Sequence, residues 1–331
     1  MFRQYLVTGA TGFLGRGVIS ELMEKSAEIR ALVLDGDPLV RELPEGVNIV
    51  RGNVCEETTL RDFFAGADEA TCVIHCAGIV SVASRPGDRL YQVNVGGTRN
   101  VLQMCVSHKV GKLIYVSSVH AIPEKPKGAE IVEPEHLSPE LVQGDYAKSK
   151  AIATNMAMDA AREGLNVSVV YPSGIIGPGD VAKGSITNML LSFLAGKLPC
   201  AVKGGYDFVD VRDVAKGIVT CTEMGQAGQG YILSGHYATI RDILNIVKAA
   251  AKENRQVLYL PLCLARLVAP YYERYSLRHK KPLYFTPYAI AVLNSNAEFS
   301  QSAAICSLQY IPRPLQKTLQ DTVLWLQERM L

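Results

Sequence analysis

Tyr146 and Lys150 stand four residues apart in Gly144-Asp-Tyr-Ala-Lys-Ser-Lys150. On a helix that separation puts both on one face, with the lysine one turn beyond the tyrosine. A free tyrosine has a pKa near ~10 and is a poor acid–base at neutral pH. A neighbouring ammonium favours the phenolate and lowers that value, and a general acid–base works best when it titrates near the working pH. The pair therefore reads as a proton-transfer device, although the same string on most helices is a surface pair. Val116-Ser117-Ser118 ends an apolar strand-like run. Ligands in open α/β sheets bind at the carboxyl ends of strands, so a serine there could hold the oxygen that Tyr146 protonates or deprotonates. Asn94, in Val93-Asn94-Val95, is an amide on an apolar helix face. It either supports this site through backbone or water contacts or is a locally satisfied buried amide.

A second constellation is Thr8-Gly-Ala-Thr-Gly-Phe-Leu-Gly15. Glycines at 9, 12 and 15 follow a short apolar strand and open a helix. The first permits a tight turn, the second lets backbone N–H groups approach a pyrophosphate, and the third lets helix and strand pack closely. The pyrophosphate then sits at the positive end of the helix. Glycine triplets also mark ordinary turns, but here an acidic residue ends the second strand. Asp35 lies 20 residues beyond Gly15, the separation expected of a carboxylate that grips the adenosine ribose. It accepts from ribose hydroxyls and repels a 2′-phosphate, so NAD is favoured over NADP. Asp35 also begins the turn Asp35-Gly-Asp-Pro38, and both roles can hold together.

The elements around these residues alternate. Strands are expected at Gln4–Val7, Ile29–Leu34, Val47–Val50, Val73–His75, Lys112–Val116 and Val167–Tyr171. Helical spacing links Leu14, Val18, Ile19, Leu22 and Met23, and helices are expected over Thr58–Ala65, Val93–Val106 and Tyr146–Arg162. Strands alternating with helices give βαβ units, hence a parallel sheet covered on both faces. The regularity breaks after Pro172. Beyond it we expect a helix over 186–197, a strand at Phe208–Val211 leading into a helix through Val219, and a capping box Thr239-Ile-Arg-Asp242 before Ile243–Ala250. A last amphipathic helix follows Pro312-Arg-Pro314. The expected class is α/β, a doubly wound parallel sheet with a smaller interleaved lobe. Residues 1–175 plus about 205–224 form the nucleotide domain, and 176–204 with 225–331 the substrate lobe.

Composition narrows the reading further. The chain has 331 residues, 48% hydrophobic and 20% charged, which is the composition of a folded globular protein. The formal net charge is +2, so no dedicated nucleic-acid surface is expected. The densest basic run, Arg278-His-Lys-Lys281, reads as a solvated loop. Eight scattered cysteines form no CxxC pair, and the six histidines show no zinc-ligand spacing, so no metal site is expected. No signal-peptide pattern opens the chain. The most apolar later segment, Leu258–Tyr272, is too short to span a bilayer and carries Arg266. A cytoplasmic protein without stable membrane insertion is the expectation.

Taken together these residues resemble the extended short-chain dehydrogenase/reductases, the NAD-dependent epimerase/dehydratase family. The matching segments are Thr8–Gly15, Val73-Ile-His-Cys-Ala-Gly78, Val93–Thr98, Tyr115-Val-Ser-Ser118, Tyr146–Lys150, Tyr171-Pro-Ser173 and Phe208–Asp213. The resemblance implies that Gly9, Thr11, Gly12, Phe13, Leu14 and Gly15 line the pyrophosphate and that Asp35 holds the ribose. Asn53 and Val54 match the adenine-contacting pair, with Asn53 where the family usually has an acid. Ala77 and Gly78 would face the cofactor, and Tyr171, Pro172 and Ser173 would pass beside the nicotinamide. Ser118, Tyr146 and Lys150 would be catalytic, with Lys150 also on the nicotinamide ribose and Asn94 in support. Ser118 is preferred to Ser117 by its position before the turn.

Pro287-Tyr-Ala289 and Tyr310-Ile-Pro-Arg-Pro314 are similar to the branch holding dihydroflavonol 4-reductases and 3β-hydroxysteroid dehydrogenase-like proteins. Residues 118–120 are Ser-Val-His and lack the adjacent acids of the dehydratases, and Tyr231–Gly235 lacks the Asn-Val-Gly common among nucleotide-sugar enzymes. The implied activity is an NAD(P)-dependent interconversion of a secondary alcohol and a ketone or aldehyde on an apolar small molecule. A nucleotide-sugar epimerase with tightly held NAD and a non-catalytic NAD-binding redox sensor are the alternatives. Apolar residues in Leu258–Tyr272 and Leu283–Tyr288 would line the pocket or fill the lobe's own core; His120 and Tyr206 are within possible reach of substrate. Helices 94–106 and 146–162 are compatible with a homodimer.

Overall fold

The computed structural model describes residues 2–329 apart from 85, 86, 199, 280–282 and 284. β1 (Gln4–Thr8) leads through the glycine turn into α1 (Phe13–Leu22), β2 (Glu28–Val33), β3 (Asn48–Arg51) and α2 (Glu57–Phe63). β4 (Thr71–His75) is followed by the short α3 (Arg89–Tyr91), a π-helical turn over Gln92–Gly97, and α4 (Thr98–Ser107). β5 (Lys112–Val116), α5 (Asp145–Arg162) and β6 (Val167–Pro172) come next. The second half holds β7 (Gly174–Ile176), α6 (Ser185–Leu194), β8 (Cys200–Val202), β9 (Gly205–Asp210), α7 (Val211–Met224), β10 (Gln229–Leu233) and β11 (His236–Thr239). It ends with α8 (Ile240–Ala250), β12 (Leu258–Leu260), α9 (Leu262–Arg278), α10 (Pro287–Val292), α11 (Ser302–Leu308) and α12 (Leu315–Arg329).

Seven parallel strands form one sheet in the order β10-β6-β5-β4-β1-β2-β3. All five residues of β1 are buried, and they alternate. Tyr5 and Val7 enter the apolar cluster on one face and Leu6 the cluster on the other, so helices must cover both faces. The strand order reverses between β1 and β4. Their carboxyl ends diverge there and leave the crevice in which such sheets bind ligands.

Two expectations need correction. The chain was expected to return to the main domain over 205–224. Residues 205–210 instead lie in a three-stranded sheet, β11-β9-β7, while 211–224 do return, as α7 packed on α1 in the main core. It is β10, a strand the sequence pattern did not reveal, that closes the main sheet beside β6. Leu258–Tyr272 neither fills the lobe core nor lines the pocket as a block. It is β12 and the start of α9, with Ala265 and Ala269 buried but Leu264, Leu267, Val268 and Tyr271 exposed. Of the basic run, Arg278 closes α9, while Lys280 and Lys281 lie outside the described residues.

The capping box at α8 forms as expected: Asp242 N donates to Thr239 Oγ1 at 3.1 Å and Thr239 N to Asp242 Oδ2 at 3.0 Å. Phe208–Asp213 serves to fasten the C-terminal segment. Arg212 donates to Asp210 and, at 2.8 Å, to Asp321 on α12, and Arg313 pairs with Asp213 at 2.7 Å.

Candidate active site

A cavity of about 610 Å³ opens at the carboxyl ends of the central strands. At one end lie Gly9, Gly12, Phe13, Leu14 and Gly15. Gly9 adopts φ +66°, and a Cβ there would lie 2.7 Å from the Ala77 nitrogen. A Cβ on Gly15 would run into the carbonyl oxygen of Gly9. The turn is thus a cradle that side chains would fill. No side chain caps α1 and no acid stands in its first turn, so its first N–H groups remain for an anion. These features fit the diphosphate of a dinucleotide. Beneath them Thr8 Oγ1 meets His75 Nδ1 at 2.7 Å and receives the Ala77 N–H at 3.2 Å. His75 Nε2 meets Thr98 Oγ1 at 3.1 Å, and burial pushes the His75 imidazole down to about 3. A neutral histidine therefore ties β1, β4 and α4 together.

At the other end α5 delivers Tyr146 and Lys150, both buried, to the cavity wall. Gly144, at φ +86°, starts the helix. Lys150 Nζ donates to the Val116 carbonyl at 2.7 Å and sits 5.1 Å from the centre of the Tyr115 ring. Burial pulls the Lys150 ammonium down to about 8. Burial also pushes the Tyr146 phenol up, and the hydrogen bond with Ser118 opposes it. The expectation that Lys150 lowers the tyrosine is not met here, because loss of water around the phenolate outweighs the other influences. The two serines divide: Ser117 Oγ is bonded to Thr154 at 2.6 Å, while Ser118 stays with Tyr146 and accepts from His120 N at 3.3 Å.

Asn94 lies outside the cavity wall, on the π-helical turn, and is buried. Its Oδ1 accepts from Ile79 N at 2.7 Å; its Nδ2 donates to Ile79 O and to Ser149 Oγ, both at 3.0 Å. It therefore pins the strand exit that carries Gly78 along the cavity. Pro172 and Ser173 line the wall, with the Ser173 hydroxyl donating to Asp207 at 2.5 Å. Tyr171 is buried in the core.

The adenosine-side residues are more dispersed. Asp35 is exposed past the end of β2. Thr11 turns away from the cradle and donates to Asp37 at 2.6 Å, bringing a second carboxylate beside the turn. Asn53 spends its amide on local turns, accepting from Cys55 N at 3.0 Å and donating to Glu56 at 3.1 Å. Val54 is buried against Gly97.

Residues from three separate segments complete the wall. His120 stacks on Tyr206 at 5.3 Å and lies 6.0 Å from both Tyr146 and Tyr288. Burial holds its imidazole near 4. The buried Tyr288 hydroxyl has no hydrogen-bond partner among the described residues. No spacing rule joins 120, 206 and 288; only the fold brings them together. From Leu283–Tyr288 the cavity takes Leu283, Phe285 and Tyr288, while Tyr284 lies outside the described residues. Among the described residues no cluster of three His, Cys, Asp or Glu side chains could hold a metal ion.

The profile of the NAD dependent epimerase/dehydratase family matches residues 5–234. The chain belongs to that family. It is similar to sterol demethylase protein B of Methylococcus capsulatus, with 30% identity over 98% of each chain. It is also similar to a putative dihydroflavonol 4-reductase of Synechocystis, with 31% identity over 79% of this chain and 77% of that one. Among solved structures, gox2253 superposes with a TM-score of 0.84 at 28% identity and 99% coverage of both chains. The protein is an enzyme of the extended short-chain dehydrogenase/reductase type.

Proposed function

We propose that the protein is an NAD-dependent oxidoreductase that interconverts a secondary alcohol and a ketone on an apolar, polycyclic small molecule. The observation that carries this reading is the meeting of Ser118, Tyr146 and Lys150 with the glycine cradle in one cavity whose remaining wall is apolar, through Ile186, Met189, Leu198, Val202, Phe285 and Leu293. A nucleotide sugar would ask for cations at a second diphosphate; among the described residues the wall beyond the cradle and Lys150 holds one acidic side chain, Asp180, and no further lysine or arginine. The names of the two relatives, a sterol demethylase protein and a dihydroflavonol reductase, point to the same ring-shaped, weakly polar class.

When bound, nicotinamide gives or takes the hydride, and in its oxidised form it adds a positive charge beside the phenol. Ser118 Oγ and Tyr146 OH hold the substrate oxygen between them. Tyr146 donates its proton to that oxygen in reduction and accepts it in oxidation. Lys150 holds the ribose hydroxyls, and its ammonium with the ring's charge offsets the burial that raises the tyrosine. The stacked His120 and Tyr206 wall off water, and the Tyr288 hydroxyl offers a hydrogen bond to a second polar point on the substrate. Asp35 selects NAD through the ribose hydroxyls. A turnover screen with NAD and NADP against steroid and flavonoid ketones tests this reading. Tyr146→Phe should lower the rate by about 10²–10⁴ and leave dinucleotide binding intact. Conversion of a nucleotide sugar without net NADH would replace the reading with epimerisation.

A further inference from the structure

The outer face of α9 is built the wrong way round for a helix in water. Leu264, Leu267, Val268 and Tyr271 recur at the spacing of one helical face, and they are 51%, 70%, 54% and 70% exposed. The helix's one carboxylate is turned inward: Glu273 is buried and accepts from Ser84 N at 2.7 Å and Ser84 Oγ at 2.8 Å. Arg266, Arg274 and Arg278 are exposed, and none forms an ion pair among the described residues. An apolar stripe with cationic flanks and no exposed acid matches an interfacial helix, which lies in the plane of a bilayer with its apolar side chains among the acyl chains. The charge is complementary to anionic headgroups. No helix of the described residues is long and apolar enough to cross a membrane, so surface contact is what this face can make.

We propose that α9 docks on the surface of an anionic lipid bilayer and sets the cavity entrance against it. The placement follows from the bonds that hold α9. Through Ser84 it is tied to the loop that lines the cavity with Val80, Ser81 and Val82, and Thr286 Oγ1, at the head of α10, donates to Val82 O at 2.6 Å. Val80, on that loop, is itself 73% exposed and lines the cavity. An apolar substrate dissolved in the bilayer would then enter without crossing water. That last step rests on the cavity reading above; the docking does not.

Flotation of the full chain with vesicles tests the docking. Vesicles of phosphatidylcholine mixed with phosphatidylglycerol should carry the protein upward and release it at high salt, whereas phosphatidylcholine alone should carry much less. Each basic side chain near an anionic surface contributes roughly fivefold to partitioning, so R274E/R278E should lower binding by more than about tenfold. L267E/Y271E should abolish it, and both variants should keep the wild-type circular dichroism because the replaced side chains are exposed. Absence of flotation with the mixed vesicles, or variants that float like wild type, would overturn the proposal. So would a dimer, seen by sedimentation, that L267E/Y271E disperses while vesicle binding is nil; the face would then belong to a second copy. A failed turnover screen with intact flotation would refute the substrate reading and spare the docking.

Discussion

Replacing Asn94 by alanine removes three hydrogen bonds at once: one from Ile79 N, one to Ile79 O and one to Ser149 Oγ. Each such bond is worth about 1 kcal/mol net, and a buried donor left unmade costs about 1–3 kcal/mol more. The Ile79 N–H is that donor, and because it is only half-buried it costs the lower end of that range, about 1 kcal/mol. Asn94→Ala should therefore lose about 4 kcal/mol, and a chain of this size melts roughly 2 °C lower per kcal/mol, giving a fall of about 8 °C. The loss should also reach the site. A Cβ on Gly78 would lie 3.3 Å from Asn94 Oδ1 and 3.4 Å from Lys150 Nζ, so the amide and the ammonium flank the same stretch of backbone. Freeing Ile79 should loosen that stretch and weaken NAD binding about tenfold. Ser149→Ala deletes only one of the three bonds and should cost about 1 kcal/mol. Urea unfolding followed by circular dichroism, with NAD titrated by fluorescence, reads both effects. If Asn94→Ala stays within about 1 kcal/mol of wild type, or melts early with undiminished NAD affinity, the amide is not the pin we describe.

Other expectations are simpler. Gly15→Ala pushes a methyl into the Gly9 carbonyl and should abolish dinucleotide binding, measured by calorimetry, while leaving the helix content close to wild type. Asp35→Arg exchanges a carboxylate for a cation and should shift preference from NAD toward NADP by about tenfold or more in the ratio of kcat/KM, since a unit charge at close range in water is worth about 1 kcal/mol and the sign is reversed. The His120 imidazole falls to about 4 from an ordinary 6.5, so the unfolded chain binds a proton that the folded chain refuses. Stability should thus decline as pH drops from about 6.5 toward 4, by up to about 3 kcal/mol for this group; His120→Gln should make that part of the urea-midpoint profile shallower, leaving the share that His75 imposes.

The central strands were legible because burial on both faces leaves short apolar runs, as in Gln4–Thr8 and Thr71–His75, and because glycines mark the tight turn from β1 into α1. The strand at Gln229–Leu233 was not, and Gly230 within it explains why. Its missing side chain weakens the strand pattern, yet a Cβ there would lie 2.7 Å from the Tyr171 ring. Helix α9 escaped because helical periodicity is sought as an apolar face turned to the core, and here the larger apolar residues face outward around an interior Pro270. In the site, Tyr146 and Lys150 were legible because a helix converts sequence spacing into spatial spacing. His120 and Tyr206 were expected within reach of substrate and Tyr288 stood in a family-like segment, but that the three meet depends on tertiary contacts between distant segments. The direction of the Tyr146 shift was misread for a related reason: spacing reports a neighbouring charge but not how much water is lost.

The order in which the chain visits its two larger sheets has a consequence for how this enzyme can change. It leaves the main sheet after β6, enters the small sheet with β7 and β9, returns for α7 and β10, and departs again for β11. No single cut separates a nucleotide half from a substrate half. A chain stopped near residue 175 would lose β10 and leave β6 as an open edge, and open edges invite pairing between chains. The part of the chain outside the main sheet therefore cannot be exchanged as one continuous cassette. New specificities would arise by replacing side chains in place, above all in the α6, β8 and α10 region that lines the cavity, while the scaffold beneath keeps its register.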